Sequence, residues 1–72
     1  MSRLIKQSFS LSGHRTSVAL EPEFWSALAD IATESGLTLP RLVAKLDAER
    51  VPEQPLASAL RVLALAHFRA PR

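Results

Sequence analysis

Apolar positions along this chain change their period between its first and second thirds. In Arg15-Thr16-Ser17-Val18-Ala19-Leu20 they alternate, so Thr16, Val18 and Leu20 share one face and Arg15, Ser17 and Ala19 the other, which is the period of a half-buried strand. Helical spacing then takes over. Pro22 suits a first turn, Glu23 lies where the helix dipole favours negative charge, Phe24, Leu28, Ile31 and Ala32 recur on one face, and Gly36 supplies a stop; together they predict a helix over about 22–35. Thr38 is a good N-cap, and Leu39, Leu42, Val43 and Leu46 follow at helical spacing, predicting a second helix over about 39–50. Val51-Pro52-Glu53-Gln54-Pro55 interrupts the pattern. A third helix follows over about 55–69, apolar on most faces through Leu56, Leu60, Val62, Leu63, Leu65 and Phe68. A helix of that kind is normally covered on most faces, so it is expected at a subunit interface. The fold class is mainly α with a short N-terminal β-strand.

Nothing after Leu20 reads as a second strand, and a single strand cannot satisfy its own backbone groups, so pairing with its copy in a second subunit is the economical expectation. Upstream, Ser8-Phe9-Ser10-Leu11 also alternates, but with the opposite parity: Phe9 and Leu11 are odd-numbered and Val18 and Leu20 even. One straight strand would turn Phe9 and Leu11 toward the side of Arg15 and Ser17. Ser12-Gly13-His14 is therefore expected to hold a bulge or, preferably, a tight turn. The chain divides into an arm or extra strand over 1–13, a strand-helix-helix core over 14–50 and a C-terminal helix over 55–69, all within one domain of residues 1–72.

At 7.9 kDa the chain is small for a core of its own, yet 47% of its residues are hydrophobic, and it has no cysteine to staple it. Two histidines, His14 and His67, are too few for a structural zinc site. Oligomerisation remains as the common way to stabilise such a fold. Core positions are expected at Val18, Leu28, Ile31, Val43 and Leu46, with Trp25 as a core or interface aromatic. Val62 to Ala66, the longest apolar run, is far too short to cross a bilayer, and the expected location is the cytoplasm. Charge is segregated: residues 1–20 carry Arg3, Lys6 and Arg15 without an acid, residues 21–53 hold all seven acids, and residues 54–72 carry Arg61, Arg69 and Arg72 without an acid. Basic ends around an acidic middle fit a footprint on phosphate. Arg61, alone in an apolar helix, is expected to pair with Asp47 or Glu49.

Residues 16–47, TSVALEPEFWSALADIATESGLTLPRLVAKLD, resemble a ribbon-helix-helix domain of the MetJ/Arc/CopG type, and GHRTSVALEPEFWSAL with the later SALRVLALAHF resembles a bacterial subfamily with an extra C-terminal helix. The resemblance implies an intertwined homodimer whose two strands form an antiparallel ribbon entering the major groove of double-stranded DNA, as in a transcriptional repressor. It also implies that Arg15, Ser17 and Ala19 face the bases and that the start of the second helix, Thr38 and Leu39, anchors phosphate. Pro40 lacks an N–H there, which Arg41 can offset with charge, and Lys6 is a further candidate for phosphate. Ala19 can offer only an apolar contact, such as to a thymine methyl.

If residues 9–11 fold back beside the ribbon, it becomes four strands wide at about 4.8 Å per strand, against a groove about 12 Å wide. Such a sheet would not enter as a two-stranded ribbon does. The alternative reading is accordingly a dimeric protein-interaction module on the same fold without DNA binding. Neither reading needs a cofactor or metal, both leave room for a further protein partner, and no arrangement of nucleophile, base and acid supports an enzyme.

Overall fold

The computed structural model describes residues 3–71. Its first element answers the parity question. Ile5–Leu11 (β1) and His14–Leu20 (β2) form an antiparallel hairpin, joined by Ser12 and Gly13 at φ 52° and 81°. Two consecutive positive φ values define the type I′ turn, whose twist matches that of the strands. The register runs from Leu11↔His14 to Ile5↔Leu20, so every odd residue of β1 faces an even residue of β2. Phe9, Leu11, Val18 and Leu20 thereby reach the same face, and all four are buried. No bulge is needed. Strand β2 thus has a partner upstream in its own chain, along one of its two edges, and the extra strand expected around residues 8–11 starts at Ile5.

Only Glu21 separates β2 from the first helix, α1 (Pro22–Glu34). Helix α1 ends in a Schellman motif, with Leu37 N–H donating to Ala32 O at 2.8 Å and Gly36 N–H to Thr33 O at 3.1 Å, while Gly36 takes φ 71°. Thr38 then caps α2 (Leu39–Glu49), accepting from the Arg41 N–H. At the far end of α2, Arg50 donates to Asp47 Oδ1 at 2.9 Å and to Gln54 O at 2.7 Å, and so pins the connection that leads through Pro55 into α3 (Leu56–Arg69).

The inner face of the hairpin packs on the helices, with α2 against β1 and α3 against β2. Leu20, Leu28, Val43 and Leu60 are fully enclosed, and each contributes about 1.5–3 kcal/mol by leaving water. Trp25 is buried beside Phe9, with ring centroids 5.9 Å apart, and its indole N–H donates to Ile5 O at 2.8 Å, fastening the start of β1 to α1. Of the expected core, Val18, Leu28, Ile31 and Val43 are buried, whereas Leu46 is only half-buried at the core's margin.

Arg61 corrects a second expectation. It reaches neither Asp47 nor Glu49 but donates through Nε and Nη2 to Glu21 Oε1, at 3.1 and 2.9 Å, with its guanidinium over the Phe24 ring. Asp47 is taken by Arg50, and the first turn and a half of α3 carries Arg61 to the strand-helix junction instead. Glu21 is held below the ordinary carboxylate range, first by a hydrogen bond from its own backbone N–H and then by Arg61. Helix α3 meets the core through Leu56, Ala59, Leu60 and Ala64, and leaves Val62, Leu65 and Phe68 about half exposed within the single chain.

Candidate nucleic-acid interface

The register that buries the apolar face also assembles the opposite one. Lys6 lies beside Ala19, Ser8 beside Ser17 and Ser10 beside Arg15. These six side chains form the outer face of the hairpin, away from the helices. All but the half-buried Ala19 are exposed. Ser8 Oγ and Ser17 Oγ are 3.0 Å apart, and the Arg15 guanidinium donates to Ser10 Oγ at 3.4 Å. These are solvent-exposed bonds that a stronger acceptor can replace. Residues 3–20 contain Arg3, Lys6 and Arg15 and no acid, so nothing on the face opposes an anion.

Sequence reasoning placed Arg15, Ser17, Ala19 and Lys6 in the interface, and the hairpin brings these four together. It missed Ser8 and Ser10. The signal was present: a two-residue turn at 12–13 makes facing residues sum to one constant, which sets Ser8 and Ser10 directly beside Ser17 and Arg15.

Thr38, Leu39 and Arg41 form a separate cluster at the start of α2. There Thr38 Oγ1 accepts the Arg41 N–H at 3.3 Å, so the cap uses one backbone donor, and Pro40 has none. The Leu39 N–H and the exposed Arg41 guanidinium are the groups left to meet an anion, while the Leu39 side chain packs on the core. Among the described residues no group of His, Cys, Asp and Glu could hold a metal ion, and no helix is long and apolar enough to cross a membrane.

A strand followed by two capped helices, with a polar, acid-free strand face turned away from the core, defines the class: a small β-ribbon domain carried on helices. The chain belongs to the ribbon-helix-helix domain family, whose match extends over residues 4–68 and so includes β1 and nearly all of α3. Members of this family are typically dimeric DNA-binding regulators, and the fold class is a non-enzymatic one. The structure is similar to that of an uncharacterized protein from Bordetella pertussis Tohama I, with a TM-score of 0.78 at 27% sequence identity. That alignment covers 93% of this chain and 57% of the other, so the chain spans little more than half the length of that protein. No curated protein matches the sequence.

Proposed function

We propose that the protein is a cytoplasmic, dimeric DNA-binding repressor that lays the outer face of its sheet on the major groove. The observation that carries this reading is the acid-free face of Lys6, Ser8, Ser10, Arg15, Ser17 and Ala19. In a hairpin closed by a two-residue turn, Leu11 and His14 bond to each other through their main chains, and so does every second pair beyond them. The N–H and C=O of Arg15, Ser17 and Ala19 therefore point out of the free edge of β2 and are available to a second copy. A two-fold axis at Ser17 sets outward residues against outward residues and keeps Val18 and Leu20 of both copies on the core side.

The resulting sheet is four strands across, about 14 Å between its outer strands at ~4.8 Å spacing, and wider than a groove of about 12 Å. It does not insert as a bare two-stranded ribbon. Instead the two central β2 strands carry Arg15, Ser17 and Ala19 over the groove floor, and the flanking β1 strands carry Lys6, Ser8 and Ser10 over the phosphate rims. Base contact thus belongs to β2. Phosphate contact belongs to β1, to the Thr38 and Leu39 turn through the Leu39 N–H, and to Arg41.

Selection from a random duplex library tests the reading: enrichment of a two-fold symmetric site supports it, and failure to enrich any site sinks it. The same width favours a second reading, a dimeric interaction module that keeps the fold without binding DNA. It predicts that the wild type and Arg15→Ala behave alike toward every duplex.

A further inference from the structure

The hairpin has two edges, and the dimer described above occupies only one. Along β1 the same alternation turns the main-chain N–H and C=O of Lys6, Ser8 and Ser10 away from β2, and all three residues are exposed. Natural sheets guard such an edge with bulges, prolines and charged side chains, lysine above all. Strand β1 carries one such guard, Lys6 on its outer face, and neither a bulge nor a proline, and it pairs without interruption over seven residues. Beside this edge Leu4 and Ile5 stand 52% and 44% exposed, an apolar border left uncovered.

We propose that the outer edge of β1 is a second self-pairing surface, at which two dimers join antiparallel about Ser8 and continue the sheet. The proposal rests on the reading that β2 forms the dimer. Only a register that sets outward-pointing residues against one another forms bonds, and a two-fold axis at Ser8 does so over the whole strand. Lys6 then faces the partner's Ser10, so no like charges stand opposite each other. On the core side Ile5 lies beside the partner's Leu11, which continues the apolar face and covers Ile5. Small hydroxyls at the centre let the strands approach without a clash. Because the β1 and β2 contacts are two different two-folds, they do not close on each other, and dimers add in line. Lys6 and Arg15 of adjoining copies repel across this sheet, with no acid within residues 3–20 to offset them. Salt therefore strengthens the β1 contact by screening. Phosphate contacts respond to salt in the opposite direction.

Sedimentation of the full chain without DNA, over a range of protein concentration and of sodium chloride, tests this apart from any nucleic-acid role. Dimers are expected in dilute, low-salt solution and tetramers or larger species in concentrated, high-salt solution. Ser8→Pro removes an N–H that the β1–β2 ladder does not use and should abolish the larger species while leaving dimers. Ser10→Lys retains every N–H and sets lysine against the partner's Lys6. It should weaken the larger species most at low salt, and it covers the case in which Ser8→Pro does not fold. Ser17→Pro should remove the β2 contact and leave dimers built through β1. Wild type that never exceeds a dimer, or larger species that survive both Ser8→Pro and Ser10→Lys, overturns the proposal. A wild-type dimer lost in Ser8→Pro and kept in Ser17→Pro overturns instead the assignment of the dimer to β2.

Discussion

Arg15 and Lys6 share a face of the hairpin, but the proposed DNA complex gives them different tasks. There Arg15 rises from the strand laid over base edges, so Arg15→Ala should weaken binding to a selected site by about 1–3 kcal/mol for each bidentate pair with a base that it removes, and leave non-specific binding nearly unchanged. Lys6→Ala should weaken both equally and flatten the dependence on salt, because a phosphate contact acts by releasing counterions. Fluorescence anisotropy against selected and scrambled duplexes at several salt concentrations separates the two; the same pattern of weakening in both variants would remove the division of labour between β2 and β1. In the core the contrast is between Leu28, fully enclosed, and Leu46, half-buried at the margin. Leu28→Ala should cost about 2–5 kcal/mol in denaturant unfolding, and Leu46→Ala clearly less when measured on dilute protein.

Each element is bounded by a local device, and most of these devices could be read from the sequence. Pro22, Gly36 and Thr38 mark helix ends through short-range rules, so the helix limits of the structure fall within a residue of those expected. Strand pairing was less legible, because alternation shows which residues share a face but not which neighbour supplies the hydrogen bonds. The turn decides that, and it depends on the pair Ser12-Gly13 adopting two positive φ values. Gly13→Ala meets open space, so its cost is conformational alone, about 1–2 kcal/mol, while Ser12→Asn should raise the melting temperature because asparagine tolerates that backbone region better. Long-range pairs were not legible either: Arg61 meets Glu21 forty positions away, which helical periodicity does not encode. That pair predicts an acid response. A carboxyl whose folded pKa is lowered stabilises the fold fully above its ordinary value and loses that contribution as pH falls through the lowered one. Unfolding followed below about pH 4.5 should therefore be steeper in the wild type than in Glu21→Gln.

For the whole molecule, the hairpin changes what association has to supply. The chain pairs β1 with β2 and encloses Leu20, Leu28, Val43 and Leu60 without a second copy, so a partner would extend the sheet rather than found it. The melting midpoint should still rise with protein concentration, because a dimer draws the equilibrium toward the folded chain. On dilution, however, sedimenting mass should halve before helical circular dichroism is lost; simultaneous loss of both would mean that the chain folds only as it associates. The single-residue joint at Glu21 has a mechanical consequence for such an assembly. Strand β2 passes into α1 with no slack, and the same residue is gripped from α3 by Arg61. The C-terminal helix is thus tied to the strand-helix joint by this pair as well as through its core residues Leu56, Leu60 and Ala64, so a twist of the sheet that follows a groove is expected to reach α3. A reporter dye placed near Ala70, far along the chain from the proposed contact face, should respond when DNA is bound, and should respond less when Arg61→Ala removes the tie to Glu21.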